Sequence, residues 1–132
     1  MKKSAFVIAL LLLVSLAGCG KTENVNRDTG KSSLYSESEI QSAMDVVVAK
    51  FKHSFQGCEL TDLWYDEEYS SARSADWAEQ YGAEEAIALL SNFTVDGSGG
   101  DGSLNPNSTY KNWNWILVRG GSGDWTLKDW GY

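Results

Sequence analysis

The chain has 132 residues, a formal net charge of −7 and 42% hydrophobic residues, which suits one small globular domain. Its acidic balance disfavours nucleic-acid binding, because attraction to phosphates dominates nucleic-acid affinity. The same charge opposes peripheral binding to anionic membrane surfaces and leaves cations, cationic peptides and neutral glycans as partners.

Residues 1–18 have the layout of a secretory signal peptide. Lys2 and Lys3 precede an apolar run at 5–14, and small residues follow it. A helix needs about 20 apolar residues to cross a bilayer, and this run is shorter. The run ends in Leu16-Ala17-Gly18-Cys19, which resembles a bacterial lipobox. A plain signal peptide that happens to precede a cysteine is the alternative.

The lipobox resemblance implies how the chain is held. In such proteins the cysteine thiol receives a diacylglycerol and the leader is cut in front of it. Cys19 is then the first mature residue, anchored at the extracytoplasmic face of the cell membrane. Bacterial lipoproteins carry two or more acyl chains such as palmitate, which matters because a single chain binds only weakly.

A tether and one domain are expected after the leader. Segment 19–36 is expected to be flexible, because Val25 is the one sizeable aliphatic residue in its stretch 20–33 and little apolar surface would be buried. Packing as an extra strand is the alternative. Residues 37–132 are expected to form a single α+β domain. Cys58 is expected to be a buried small side chain, with a reactive thiol as the alternative.

Periodicity predicts the first elements of this domain. Ser36 and Glu39 fit a capping box that begins a helix of about 20 residues, and Gly57 is placed to end it. A strand at 58–67 and a short helix at 74–81 follow. Residues 83–96 fit either a helix or a strand, and we choose a long strand from about Glu85. The apolar stripe of the long helix consists of Ile40, Met44, Val47, Val48, Phe51 and Phe55.

The C-terminal part predicts a glycine-rich loop at 96–108 and then a hairpin. Its strands, at 110–119 and 125–130, are joined by Gly120-Gly121-Ser122-Gly123. The predicted architecture is α+β, with one long N-terminal helix packed on a curved antiparallel sheet of about four strands. That arrangement resembles the cystatin-like superfold, which includes nuclear-transport-factor-like domains. The likeness is architectural, and a fold does not determine a function.

Three stretches carry a closer resemblance: GGDGSLNPNSTY at 99–110, WNWILVR at 113–119 and DWGY at 129–132. They are similar to a group of small bacterial lipoproteins that carry a domain of unknown function. The resemblance implies a lipid anchor and a single domain. It brings no catalytic residue with it.

Candidate catalytic side chains are few. His53 is the only histidine, and it lies nearly opposite the apolar stripe, so we expect it in solvent. A Cys58–His53 pair could in principle make a thiolate nucleophile, but no third orienting group is evident. The acidic run at 66–68 is expected to be a solvated strand end. A glycosidase would need two carboxylates across a cleft.

The glycine-rich loop offers oxygen ligands for calcium from Asp96, Ser98 and Asp101. The spacing departs from an EF-hand, because Asp101 stands at the sixth position, where glycine is needed. A plain turn is the preferred interpretation. No catalytic residue, metal or cofactor is therefore assigned.

The remaining feature is the number of aromatic residues, which include six tryptophans. Trp113 and Trp115 share one strand face, with Tyr110 and the Asn112–Asn114 side on the other. We expect at least one of the pair in the core, the asparagine side wetter, and one tryptophan exposed among Trp77, Trp113, Trp115, Trp125 and Trp130. A ligand site would form near Trp115 or its neighbour across the hairpin. The candidate ligand-binding residues are Trp113, Trp115, Trp125 and Trp130.

These observations predict a lipid-anchored extracytoplasmic binding or interaction domain. Its partner would be a peptide, a glycan or an envelope protein. The alternatives are a small cell-envelope hydrolase that uses the concave face of the sheet, and a purely structural envelope component. Convergent polar groups with shifted pKa values would favour the enzyme, and a flat aromatic patch would favour binding.

Overall fold

The computed structural model describes residues 19–132, which form two helices and one five-stranded mixed sheet. The sheet order is β1-β2-β3-β4-β5, with β1 parallel to β2 and every other neighbouring pair antiparallel. The α+β class and the antiparallel meander are thus confirmed. The elements in chain order are β1 (Asn26–Asp28), α1 (Glu37–Ser54), β2 (Cys58–Trp64), α2 (Glu67–Gln80), β3 (Glu85–Val95), β4 (Thr109–Arg119) and β5 (Thr126–Gly131).

The helix α1 covers one face of the sheet. The Ser36 hydroxyl accepts a hydrogen bond from the Glu39 N–H, and the Glu39 carboxylate accepts one from the Ser36 N–H, so the predicted capping box begins the helix. The apolar stripe packs on alternate side chains of β3, such as Ile87 and Leu89, and forms the main core. The fully buried residues of α1 are Ile40, Ala43, Met44, Val47 and Phe51.

The helix α2 covers the opposite face, and it is longer than the short helix predicted at 74–81. It begins at Glu67 with Asp66 as its N-cap, where the sequence predicted a solvated strand end at 66–68. Its buried face is small and contains Ser70, whose hydroxyl accepts a hydrogen bond of 2.9 Å from the Ala88 N–H of β3. A second cluster forms here from Trp77, Ala78, Ala86, Ala88, Ile116 and Val118.

The N-terminal segment also differs from its prediction. The signal peptide predicted at 1–18 lies outside the described residues, but segment 19–36, predicted to be a tether, is folded onto the domain. Lys21 bridges to Glu59, and β1 then adds a fifth, parallel strand beside β2. Val25 and Tyr35 pack against the main core. The segment was expected to be flexible because it has few apolar side chains. Much of its attachment comes instead from backbone hydrogen bonds to β2.

A bulge in β4 changes which side chains share a face. Between the pairs Ser91↔Trp113 and Phe93↔Tyr110, β4 carries one residue more than β3, and Asn112 takes a φ of 58°. Tyr110, predicted to lie opposite the tryptophans, therefore joins their face and stacks on Phe93 with ring centroids 5.1 Å apart. Beyond the bulge the alternation is as predicted, with Trp115 and Leu117 under α1 and Ile116 and Val118 under α2.

Within residues 19–132, no helix has the length and apolar character that crossing a membrane requires.

Candidate functional site

A cleft of about 330 Å³ lies between the C-terminal end of α1, the loop 96–108 and the strands β4 and β5. Its volume is at the lower end of the range typical of small-ligand sites. The walls combine aromatic surface with polar and charged groups. Among the residues that line the cleft are Lys50, Phe55, Cys58, Asp101, Trp113 and Trp130.

Trp130 is the exposed tryptophan of this cleft. It pairs across the hairpin with Trp115, and the two indoles stack with centroids 6.3 Å apart and planes inclined by 26°. The Lys50 ammonium lies 4.7 Å from the centre of its ring. Although these two neighbours hold the indole, 40% of Trp130 is accessible to solvent. The expectation of one exposed tryptophan is met here.

Trp113 contributes a polar atom without a partner. Its indole N–H is buried and makes no hydrogen bond within the described part of the chain. Leaving a buried donor unpaired costs about 1–3 kcal/mol. By contrast, the Trp115 N–H donates to the Ser91 hydroxyl at 2.7 Å. Trp113 also lines the cleft, so the unpaired donor belongs to one of its wall residues.

The other two predicted tryptophans are not in the cleft. Trp115 is fully buried behind Trp130 and belongs to the core. Trp125 lies at the opposite end of α1, where its N–H donates to the Glu39 carbonyl at 3.1 Å. The structure therefore brings Trp113 and Trp130 together, places Trp115 beneath them and separates Trp125 from all three.

Arg119 lies at the N-terminal end of α1, beside Trp125. It was not among the candidate residues predicted from the sequence. Its guanidinium is paired with Glu39 and Glu85 and lies 4.3 Å from the Trp125 ring centre. The Ser36 N–H and the Arg119 guanidinium lower the pKa of Glu39 to about 2. A larger depression of about 480 Å³ is found here, but its Arg119 and Glu39 are already paired with each other. The feature of the sequence that could have indicated Arg119 is its position as an arginine on the same strand as Trp113 and Trp115.

Cys58 is a buried thiol and lacks the properties of a nucleophile. Only 3% of the residue is exposed, and its Sγ–H donates to the Gln56 carbonyl at 3.7 Å. Burial, reinforced by Asp96 and Asp101, raises the pKa of the Cys58 thiol to about 11. The thiolate that nucleophilic attack requires is therefore scarce at neutral pH. His53 is exposed, as predicted.

The aspartates of the loop 96–108 are occupied in local turns. Asp96 accepts hydrogen bonds from the Ser98 hydroxyl and N–H, and Asp101 accepts the same pair from Ser103. These bonds lower the pKa of both carboxyls. Across the described residues, no group of three or more His, Cys, Asp or Glu side chains is arranged to hold a metal ion.

Lys50 and Asp101 line the cleft although sequence reasoning did not select them as ligand-binding residues. Lys50 occurs on the last turns of α1, and Asp101 lies in a loop whose path depends on tertiary contacts. Comparison of the chain with models of protein families, with curated proteins and with solved structures gives no match. The chemistry of the cleft is therefore argued from its geometry.

Proposed function

We propose that this chain is a lipid-anchored extracytoplasmic binding domain, held at the cell membrane through Cys19, and that the cleft takes its ligand. One observation carries the proposal of a binding site. A single cleft is lined by the exposed indole of Trp130 and by Trp113, whose buried N–H has no partner. The layer of α1 on the meander supports the cystatin-like architecture, to which α2 and β1 are additions.

The chemistry of the cleft favours a glycan or a peptide segment. The Trp130 ring offers a flat surface on which a sugar ring or an apolar side chain can stack. Trp113 adds a second aromatic ring to the same wall, and its N–H is buried beneath the surface. Lys50 and Asp101 place opposite charges in the walls, so the cleft does not select strongly for one sign of charge.

No observation favours the hydrolase alternative. The titratable side chains that line the cleft are those of Lys50, Cys58 and Asp101. Cys58 is held in its protonated form, and Asp101 is engaged with Ser103.

The test of the cleft is a binding titration followed by tryptophan fluorescence. Full-length protein is titrated with soluble cell-wall oligosaccharides and with short peptides, alongside Trp130→Ala and the control Leu34→Ala, which removes an exposed side chain outside the cleft. We expect Trp130→Ala to weaken binding by at least about tenfold, which corresponds to about 1.4 kcal/mol. Equal affinity in the two variants would contradict the assignment of the cleft.

The anchor is tested separately by membrane fractionation. We expect wild-type protein in the membrane fraction and Cys19→Ser in the soluble fraction, because the serine hydroxyl does not receive the lipid. A Cys19→Ser variant that remains with the membranes would refute the anchor.

A further inference from the structure

Cys19 lies beside the folded core. The next residue, Gly20, donates its N–H to the Lys52 carbonyl at 2.9 Å. That carbonyl is one of the last four of α1, which have no partner within the helix. Lys21 then donates its N–H to the Cys58 carbonyl and accepts the Leu60 N–H, both at 2.9 Å. The chain is thus bonded to α1 and to β2 within two residues of Cys19.

The contact at Gly20 is also tight. A Cβ atom on Gly20 would lie 2.4 Å from the Phe51 carbonyl oxygen and 2.9 Å from that of Phe55. Only a glycine fits in this space without displacing the end of α1. The attachment at Gly20 and Lys21 therefore combines specific hydrogen bonds with close packing and fixes where the chain leaves the domain.

This exit point defines one end of the molecule. Cys19 shares a surface depression with Gly57, Glu59 and Asp96, which belong to the α1–β2 turn, the start of β2 and the end of β3. Cys58 lines both this depression and the ligand cleft. The β4–β5 turn lies at the opposite end, and α1, with 18 residues, separates the two ends by about 27 Å.

We propose that the domain lies directly on the bilayer that holds the Cys19 lipid, with the α1–β2 turn and the loop 96–108 against the headgroups and the β4–β5 turn pointing away. This inference rests on the proposed lipidation of Cys19. A flexible segment of the length of 19–36 would instead let the domain move about 20–25 Å from the surface. The attachment at Gly20 and Lys21 removes that freedom.

The charges at this end suit contact with neutral headgroups. Lys21, Lys50 and Lys52 are balanced by Glu59, Asp96 and Asp101. The surface therefore neither requires anionic lipid nor is repelled by zwitterionic lipid, and the anchor supplies the affinity. The ligand cleft lies at the same end, which brings it beside the membrane surface.

The experiment compares two labels at opposite ends of the full-length, lipidated protein in phosphatidylcholine vesicles. Ser103→Cys and Ser122→Cys are matched variants, because each replaces an exposed serine in a glycine-rich turn. Each variant is labelled with an environment-sensitive fluorophore and quenched by a lipid that carries a nitroxide on its headgroup. Wild-type protein taken through the same labelling measures the fluorescence that comes from any label attached to Cys58.

We expect the label at position 103 to lose at least about half of its fluorescence and the label at 122 less than about a tenth, because α1 spaces the ends by about 27 Å. Inserting fifteen Gly/Ser residues after Cys19 provides the second comparison. Such a linker spans about 20 Å, so it is expected to relieve quenching at 103 while the protein stays on the vesicles.

The outcomes separate the two proposals. A protein that does not associate with vesicles contradicts the lipid anchor and this inference together. A protein that is anchored, but whose two labels are quenched equally, overturns the orientation and leaves the anchor standing. Quenching at 103 that the inserted linker does not change also overturns the orientation.

Discussion

At the scale of single residues, Gly20 shows that a position can be constrained by proximity as well as by backbone angle. A methyl group here would overlap two carbonyl oxygens of α1. We expect Gly20→Ala to lower the free energy of unfolding by about 1–3 kcal/mol, the usual cost of overpacking. Denaturant unfolding of the mature chain measures the change.

Gly120 provides the control for that variant. A Cβ atom at Gly120 meets no atom within 4 Å, so Gly120→Ala is expected to leave the midpoint of unfolding almost unchanged. If both variants unfold at the wild-type midpoint, the attachment of residue 20 to the end of α1 contributes nothing to stability.

Glu67 makes stability depend on pH. Hydrogen bonds from the Ser32 hydroxyl and the Ser33 N–H lower its pKa from 4.5 to about 2. Because the folded carboxyl binds its proton less readily than the unfolded one, its contribution is complete above about pH 4.5 and is lost as the pH falls towards 2. We expect Glu67→Gln to reduce the decrease in melting temperature over this interval.

The neighbouring Glu68 is the matched control for the pH dependence. It is exposed in the same turn of α2, and none of the contacts to Ser32 or Ser33 involves it. Thermal melts of Glu67→Gln and Glu68→Gln between pH 2 and pH 7 are compared with wild type. Parallel curves for the two variants would contradict the role given to Glu67.

At the scale of the elements, the N-terminal segment 19–36 is where the structure differs most from the prediction. Deleting residues 20–36 removes β1, the Arg27–Asp45 ion pair at 2.7 Å and the packing of Val25 and Tyr35 on the core. We expect the free energy of unfolding to fall by about 2 kcal/mol or more, because both side chains are partly buried and full burial of one contributes about 1.5–3 kcal/mol. Calorimetry of the mature chain with and without the segment measures this difference in the free energy of unfolding.

A truncated protein that melts at the wild-type temperature would restore the interpretation of 19–36 as a tether. The expected decrease is large, because in a domain of this size each kcal/mol shifts the melting temperature by several degrees.

The elements that were predicted correctly share a strong local signal. The helix α1 has a capping box and a wide apolar stripe, and β3 to β5 show alternation and a glycine-rich turn. The start of α2 lacks such a signal, because its buried face uses Ser70 and Ala78 in place of large apolar side chains. The bulge at Asn112 is a tertiary adjustment that no alternation pattern reveals.

The candidate site could be predicted in part for the same reason. The strand pattern placed Trp113 on the face covered by the long helix, and Trp130 in the facing strand of the hairpin. The other walls of the cleft come from the end of α1 and from a loop 96–108 held by its own turns. These walls come together because of the angle at which α1 lies across the sheet. The spacing of residues in the sequence does not specify that angle.

At the scale of the whole molecule, the two faces of the sheet are built differently. The α1 face contains most of the large aromatic side chains, and the α2 face combines Trp77 with mainly small aliphatic ones. The two ends of α1 differ as well, with paired charges around Arg119 at its beginning and the cleft at its end. Function is therefore expected at the end where aromatic surface remains accessible.

The attachment at Gly20 and Lys21 also determines how a pull on the proposed lipid anchor would reach the protein. Tension on Cys19 would act along the segment that pairs with β2 through Lys21, Asn26 and Asp28. A pull directed along these strands would load their hydrogen bonds together in shear, so the bonds would not open one after another. The domain would therefore resist mechanical extraction of its N-terminal segment, and a force on the membrane anchor would be transmitted directly to the sheet.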